Sequence, residues 1–109
     1  MDLQSYQSCI DACNACATAC DNCAASCLAE PDVTAMAKCI ALDMDCAQAC
    51  RLAAALMSRG SRYAPAVCKL CADICEACGE ECGTHEMDHC QACSEACRRC
   101  AQACRAMAA

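Results

Sequence analysis

Apolar and polar positions recur with the period of an α-helix along most of the chain, and cysteine fills the apolar positions. In three segments the cysteines are separated by alternating steps of three and four residues, an average of about 3.5, close to one helical turn. Polar residues such as Asp11, Asn14 and Thr18 fall on the opposite side of the first segment. Each segment therefore predicts an amphipathic helix with one face of thiols and one face in water.

These three stripes hold most of the nineteen cysteines, and the segment between the first two stripes differs from them. The stripe members are Cys9, Cys13, Cys16, Cys20, Cys23, Cys27, then Cys68, Cys71, Cys75, Cys78, Cys82, then Cys90, Cys93, Cys97, Cys100 and Cys104. The second segment has on its stripe Met36, Cys39, Asp43, Cys46, Cys50, Ala53 and Met57. A carboxyl group and an alanine therefore stand where thiols are expected.

Proline and glycine divide the chain into four predicted helices within a single domain, residues 1–109. The first helix is predicted at 3–28 and the second at 32–57, because Pro31 cannot continue a helix. Gly60 favours a left-handed end to the second helix, and Pro65 fits the first turn of a third at 64–83. The fourth is predicted at 85–107, with Thr84 as its cap. Short linkers then predict an all-α, antiparallel up-down-up-down four-helix bundle with a cysteine-lined core.

Composition supports thiols as core residues. Leu, Ile and Val together number 11, and the chain has no Phe or Trp. Such a chain would ordinarily be expected to be disordered, but its alanines favour helix and its periodicity is regular. Since buried cysteine behaves as a small hydrophobic residue, the four thiol faces are expected to meet inside the bundle.

Charge and hydropathy narrow the class of partner. The net charge of −6 is spread over the chain without a basic block, which argues against nucleic acid and anionic membrane surfaces. No apolar run approaches the roughly 20 residues that a membrane span needs. The first residues lack the features of an export signal, so we expect a cytoplasmic protein. In a reducing cytoplasm many cysteines indicate metal binding or catalysis more often than disulfides.

The charge of a filled core helps to choose the metal. Thiolates suit Cu(I), Zn(II) and iron–sulfur clusters. Four-thiolate zinc sites would each carry −2, so about four of them would bury roughly −8, which is costly. One Cu(I) per thiolate leaves the core nearly neutral. This balance favours many Cu(I) ions per chain.

Three other classes of function remain open at this point. A zinc-binding module or an iron–sulfur module would hold fewer metal ions, and the bacterial ferredoxin run of cysteines ending in Cys-Pro is absent. A thiol redox protein needs one or two exposed thiols with a lowered pKa, whereas the stripes predict uniform burial. We therefore interpret the chain as a binding protein, not an enzyme.

In these stripes, in its length and in the expected lack of an export signal, the chain resembles the bacterial cytosolic copper storage proteins, a family of cysteine-rich four-helix-bundle copper-binding proteins. The resemblance covers essentially the whole chain. It implies storage and sequestration of many Cu(I) ions by the stripe cysteines, and it implies a homotetramer. Protection against copper toxicity and supply of copper enzymes both fit that function. The family pattern is interrupted in the second helix, at Asp43 and Ala53.

Five further residues are candidates for accessory metal binding or entry. His85 and His89 are four residues apart, near the end of the bundle where Cys27, Cys82 and Cys90 are expected. Histidine is a common metal ligand, although two solvated histidines in a polar turn would look the same. Met36, Asp43 and Met57 lie on the stripe of the second helix, where methionine is more often core filler than ligand.

Overall fold

Four α-helices arranged up-down-up-down make up the computed structural model, which describes residues 3–108, with side chains from Tyr6 onward. The helices are α1 (Leu3–Leu28), α2 (Ala37–Ser58), α3 (Ala64–Gly83) and α4 (Asp88–Ala108), and a 3-10 helix at Val33–Met36 precedes α2. Each α-helix packs lengthwise against two others, which gives a closed bundle of four. The bundle measures 46 × 17 × 17 Å. The predicted all-α antiparallel bundle with a cysteine-lined core is confirmed.

Two helices begin later than the sequence pattern predicts. The second helix was expected from residue 32, but Asp32 instead caps the 3-10 helix, where its Oδ1 accepts a hydrogen bond from the Ala35 N–H (3.3 Å). This short turn follows Pro31 and delays α2 to Ala37.

The fourth helix was expected from residue 85 and starts at Asp88. The N–H groups of Thr84 and His85 still bond to carbonyls of α3, at Glu81 and Cys82 (both 3.1 Å). The Thr84 hydroxyl likewise donates to the Glu81 carbonyl (2.7 Å), so Thr84 completes α3 and the expected cap on α4 is wrong.

The opposite turn, between α2 and α3, needs a left-handed residue. Gly60 has a φ of +64°, and its N–H bonds to the Met57 carbonyl (3.1 Å). Pro65 lies in the first turn of α3, where its missing N–H costs no hydrogen bond.

Small residues bring α3 and α4 close together. The Ser94 hydroxyl donates to the Gly79 carbonyl (2.7 Å), and a Cβ on Gly79 would lie 3.2 Å from Cβ of Cys97. Helices joined this closely hold their cysteine side chains within reach of one another across the bundle. Among residues 3–108, no helix combines the length and the hydropathy that a membrane span requires.

Candidate metal-binding core

The interior of the bundle is built from thiols. All nineteen cysteines are at most 1% exposed, and all are free. The residues that share this core with them are mainly small alanines such as Ala17, Ala47 and Ala72. The alternating spacing of three and four keeps each cysteine on the inner face of its helix for the whole length of the bundle.

The sulfur atoms form a continuous set of close contacts. Across helices, the Sγ–Sγ distance is 3.3 Å between Cys39 and Cys82 and 3.5 Å between Cys46 and Cys75. Along one helix, the sulfurs that contact one another four residues apart are separated by 3.8 to 4.0 Å, as for Cys23 and Cys27. A metal ion needs ligands at such spacings from several directions, and the four helices supply them.

Groups of four sulfurs lie close enough to hold one ion, and the groups share members. In each group, the sulfurs all lie within 4.8 Å of one another. Five such groups are Cys13–Cys71–Cys100–Cys104, Cys16–Cys46–Cys50–Cys75, Cys16–Cys20–Cys46–Cys97, Cys20–Cys78–Cys93–Cys97 and Cys23–Cys27–Cys39–Cys90. Because Cys16, Cys20, Cys46 and Cys97 each belong to two of these five groups, neighbouring ions would have to share sulfurs.

Asp43 sits inside this sulfur core and is fully buried. Its Oδ1 accepts hydrogen bonds from the thiols of Cys78 (3.2 Å), Cys82 (3.3 Å) and Cys93 (3.2 Å). Burial, together with the nearby Cys93, raises the pKa of Asp43 to about 9. In the metal-free protein at neutral pH this carboxyl group is therefore protonated.

Burial acts on the thiols in the same direction at the end of the bundle near the histidines. It raises the pKa of Cys90 to about 11, and it raises the pKa of Cys39 above the ordinary range of a thiol. A metal that binds these sulfurs as thiolates must therefore displace their protons.

The two histidines have different surroundings. The Nδ1 atom of His89 faces the core, 3.5 Å from Sγ of Cys90, 3.6 Å from Cys23 and 3.9 Å from Cys27. His85 instead places Nε2 2.9 Å from Oε2 of Glu81 on the outer side of α3. The structure thus brings His89 to the sulfurs and sets His85 beside a carboxylate.

The two methionine candidates are buried in the core at opposite ends of the bundle, Met36 in the 3-10 turn before α2 and Met57 near the end of α2. Met36 is 2% exposed beside the histidine end, and Met57 is 1% exposed at the other end. Ala53, the second interruption of the stripe, is also fully buried. Metal binding by the methionines stays a prediction, as does the ligand role of each individual cysteine.

Sequence reasoning missed Glu30, which contacts the functional candidate His89. Its Oε1 lies 3.1 Å from Nε2 of His89, across a separation of 59 residues. Glu30 follows α1 in the turn that contains Pro31, and its helical phase gives no signal. Only the packing of that turn against the start of α4 brings the two side chains together.

A helical bundle with a continuous interior of free thiols, joined by one carboxyl group and one imidazole, defines a thiolate metal-binding protein. The family model described as copper storage protein (Csp) matches residues 2–109. The chain belongs to the copper storage protein family, which confirms the resemblance drawn from the cysteine stripes.

Relatives match over nearly the full chain. The cysteine-rich protein YhjQ of Bacillus subtilis (strain 168) is 50% identical over 106 residues, which cover 97% of this chain and 98% of the relative. The Cu(I)-bound copper storage protein BsCsp3 is 50% identical and superimposes with a TM-score of 0.93, covering 96% and 99% of the two chains. A cytosolic copper storage protein from Streptomyces lividans, solved with five coppers, is 45% identical with a TM-score of 0.93 and coverage of 97% and 93%.

Proposed function

We propose that this chain stores Cu(I), holding many ions as cysteine thiolates inside the bundle. The observation that supports this most directly is the continuous core of nineteen buried, free thiols. Cu(I) prefers soft sulfur ligands, and a buried set of them keeps the ion away from water and oxygen. The Cu(I)-bound relative at 50% identity supports the same metal.

Shared sulfurs favour Cu(I) over zinc. Isolated tetrahedral zinc sites need four thiolates each, but the groups that contain Cys16 and Cys46 overlap, so they cannot all be filled separately. Charge points the same way, because one Cu(I) per thiolate leaves the interior nearly neutral whereas a four-thiolate zinc site carries −2. Bridged Cu(I)–thiolate clusters satisfy both conditions.

We propose that the chain acts by binding and not by catalysis. Thiol redox enzymes attack through a thiolate that is at least partly exposed, and here every cysteine is at most 1% exposed. Buried thiols that hold metal are also protected from oxidation, which suits a protein that limits copper toxicity. The same store could supply copper enzymes.

The test is an anaerobic titration of the reduced, metal-free protein with Cu(I), in which a chromophoric chelator reports free copper. We expect binding to continue to roughly one Cu(I) per cysteine, with release of about one proton per ion from the thiols. Saturation at about four ions or fewer would contradict storage and favour zinc-type sites. A parallel titration with Zn(II) gives the direct comparison.

A cysteine variant shows whether the shared sulfurs matter. The double variant Cys16→Ser/Cys46→Ser removes two sulfurs that each belong to at least two groups, so capacity should fall by at least two ions. Ala47→Ser is the matched control, since it also adds a hydroxyl to the buried face of α2 and removes no sulfur. An equal loss in both variants would mean that the hydroxyl, and not the missing sulfur, lowers capacity.

We further propose a cytoplasmic homotetramer. The cytosolic protein from Streptomyces lividans, at 45% identity, supports the location. Apolar side chains on the outer faces of α2 and α3 support association, since Met44, Leu52 and Leu70 are 57%, 48% and 54% exposed. Sedimentation should give four times the 11.4 kDa of one chain, and Leu52→Glu should lower that mass. A wild-type mass of 11.4 kDa would contradict the tetramer.

A further inference from the structure

The imidazole ring of His89 bridges a carboxylate and the sulfur core. On one side, Nε2 lies 3.1 Å from Oε1 of Glu30. On the other, Nδ1 lies 3.5 Å from Sγ of Cys90 and 3.6 Å from Sγ of Cys23. Both polar side chains are mostly enclosed, with 16% of His89 and 26% of Glu30 exposed.

This geometry fixes which nitrogen can bind metal. A carboxylate only accepts hydrogen bonds, so the proton of the neutral ring resides on Nε2 and is donated to Glu30. The lone pair of Nδ1 is then directed at the sulfurs. Carboxylates that accept the second ring N–H of a ligating histidine hold the ring in place and increase its basicity.

The neighbouring histidine provides an internal contrast. His85 also has a carboxylate on Nε2, with Oε2 of Glu81 at 2.9 Å, and Lys38 lies 3.8 Å from the same carboxyl group. In the described part of the chain, the contacts of the His85 ring run to Glu81 and not to sulfur. Each pair consists of a carboxylate and an imidazole ring, but the ring of His89 faces sulfurs whereas the ring of His85 contacts only Glu81 among the described residues.

We propose that Glu30 is a positioning residue for the capture of Cu(I) by His89. It orients the ring so that Nδ1 and the thiols of Cys23, Cys27 and Cys90 receive an incoming ion together. Glu30 sets the rate at which the first ions enter and leaves the total capacity to the cysteines. This inference rests on the proposed storage of Cu(I).

The test compares loading rates and capacities of matched variants. Cu(I) is supplied anaerobically from a chelator buffer, and uptake is followed by stopped flow. Glu30→Leu should slow initial uptake about tenfold at unchanged capacity. Glu30→Gln, which keeps an acceptor oxygen, should lose less. Glu81→Gln removes the same charge at the same end of the bundle, and its rate should stay near that of the wild type.

A double-variant cycle shows whether Glu30 acts through the ring. In a His89→Ala background, Glu30→Leu should slow uptake no further. Equal slowing in both backgrounds, equal slowing by Glu81→Gln, or no slowing by Glu30→Leu would each overturn the proposal. These outcomes concern rate, whereas failure of the storage function would appear as low capacity in the wild type.

A measurement without copper tests the geometry directly. Long-range ¹H–¹⁵N spectra of the metal-free protein should show the His89 proton on Nε2 in a strong hydrogen bond. Glu30→Leu should remove that hydrogen-bond signature at His89 and leave the His85 resonances unchanged. A His89 spectrum that is insensitive to Glu30→Leu would overturn the positioning role even if the loading rate fell.

Discussion

The two ends of the bundle have the same helical framework but different chemistry. At the histidine end, Glu30 contacts His89, the His89 ring lies beside three thiols, and a 3-10 turn carrying Met36 covers the core. At the opposite end, Met57 and Ala64 are buried, and a surface cavity of about 250 Å³ borders Cys9 and Met107. One end therefore offers nitrogen and carboxylate groups beside sulfur, and the other offers sulfur beside apolar side chains.

This difference separates two requirements of copper storage, namely the capacity for ions and their capture from a donor. Capacity depends on the number of thiols, and both ends have them. Capture from a donor needs a partly accessible group with a free lone pair, and we propose His89, 16% exposed beside the thiols, as that group at the histidine end. The following changes test how far the two ends differ, from the largest expected effect to the smallest.

Truncation of the buried methionines should show which end is more tightly packed. In the metal-free protein, Met57→Ala should lower the free energy of unfolding by about 4 kcal/mol, and Met36→Ala by about 2 kcal/mol. Met57 lies within α2, whereas Met36 lies on a short 3-10 turn that can relax into the space. Urea unfolding of the two variants measures both values. Equal losses would show that the 3-10 turn packs as rigidly as the opposite end.

Asp43 should make the metal-free protein less stable as pH rises. Its folded pKa of about 9 lies above the unfolded value of about 4, so between them the folded state keeps a proton that the unfolded state releases. Stability should therefore fall by about 1.4 kcal/mol per pH unit between pH 6 and 8 because of this group. Asp43→Asn should remove that slope, as measured by urea unfolding at several pH values.

The exposed Asp45, on the same helix, provides the control for that measurement. Asp45→Asn should leave the slope in place. If the stability of Asp43→Asn and Asp45→Asn depended on pH as that of the wild type does, the carboxyl group of Asp43 would be ionised in the folded protein. The core around Asp43 would then be more polar than its burial indicates.

A change at the histidine end should slow Cu(I) uptake about tenfold more than a change at the opposite end. His89→Ala should slow Cu(I) uptake about tenfold, because the first accessible ligand is lost. Met57→Leu keeps the volume at the opposite end, and its uptake should stay within about twofold of the wild type. Stopped-flow uptake from a Cu(I) chelator provides the comparison. A slower Met57→Leu variant would place an entry route at the opposite end.

The smallest expected effect concerns the turn at the opposite end. Gly60→Ala should cost about 1 kcal/mol, because an alanine at a φ of +64° is strained. Gly60→Asn should cost less, since asparagine tolerates this conformation better. Thermal unfolding of the two variants distinguishes them. Identical melting temperatures for Gly60→Ala and the wild type would show that the turn adjusts freely.

The helical phase of the cysteines was predictable because it is local. Steps of three and four residues place Cys13, Cys16 and Cys20 on one face whatever the neighbouring helices do. The same phase predicted that Asp43 would replace a thiol, but its three hydrogen-bonding partners depend on how α3 and α4 register against α2. The Glu30–His89 contact is less visible still, since it joins a turn to a helix start across 59 residues.

The late starts of α2 and α4 have a similar origin. Asp32 can cap either the 3-10 helix or α2, and Thr84 can either end α3 or cap α4. Hydrogen bonds such as that from the Thr84 hydroxyl to the Glu81 carbonyl decide which helix each residue belongs to. Sequence periodicity locates the middle of a helix well and its ends less well.

Because the four-sulfur groups share sulfurs, the interior is one continuous network of metal sites and not a row of separate sites. From Cys27 at the histidine end to Cys9 at the other, a path of neighbouring sulfurs runs through the core, each no more than 4.8 Å from the next. We therefore expect a bound ion to migrate by exchanging one sulfur for the next without returning to water. The order in which positions fill would then depend on their relative affinities and not on their distance from the entrance, so ions admitted first would not need to stay where they entered.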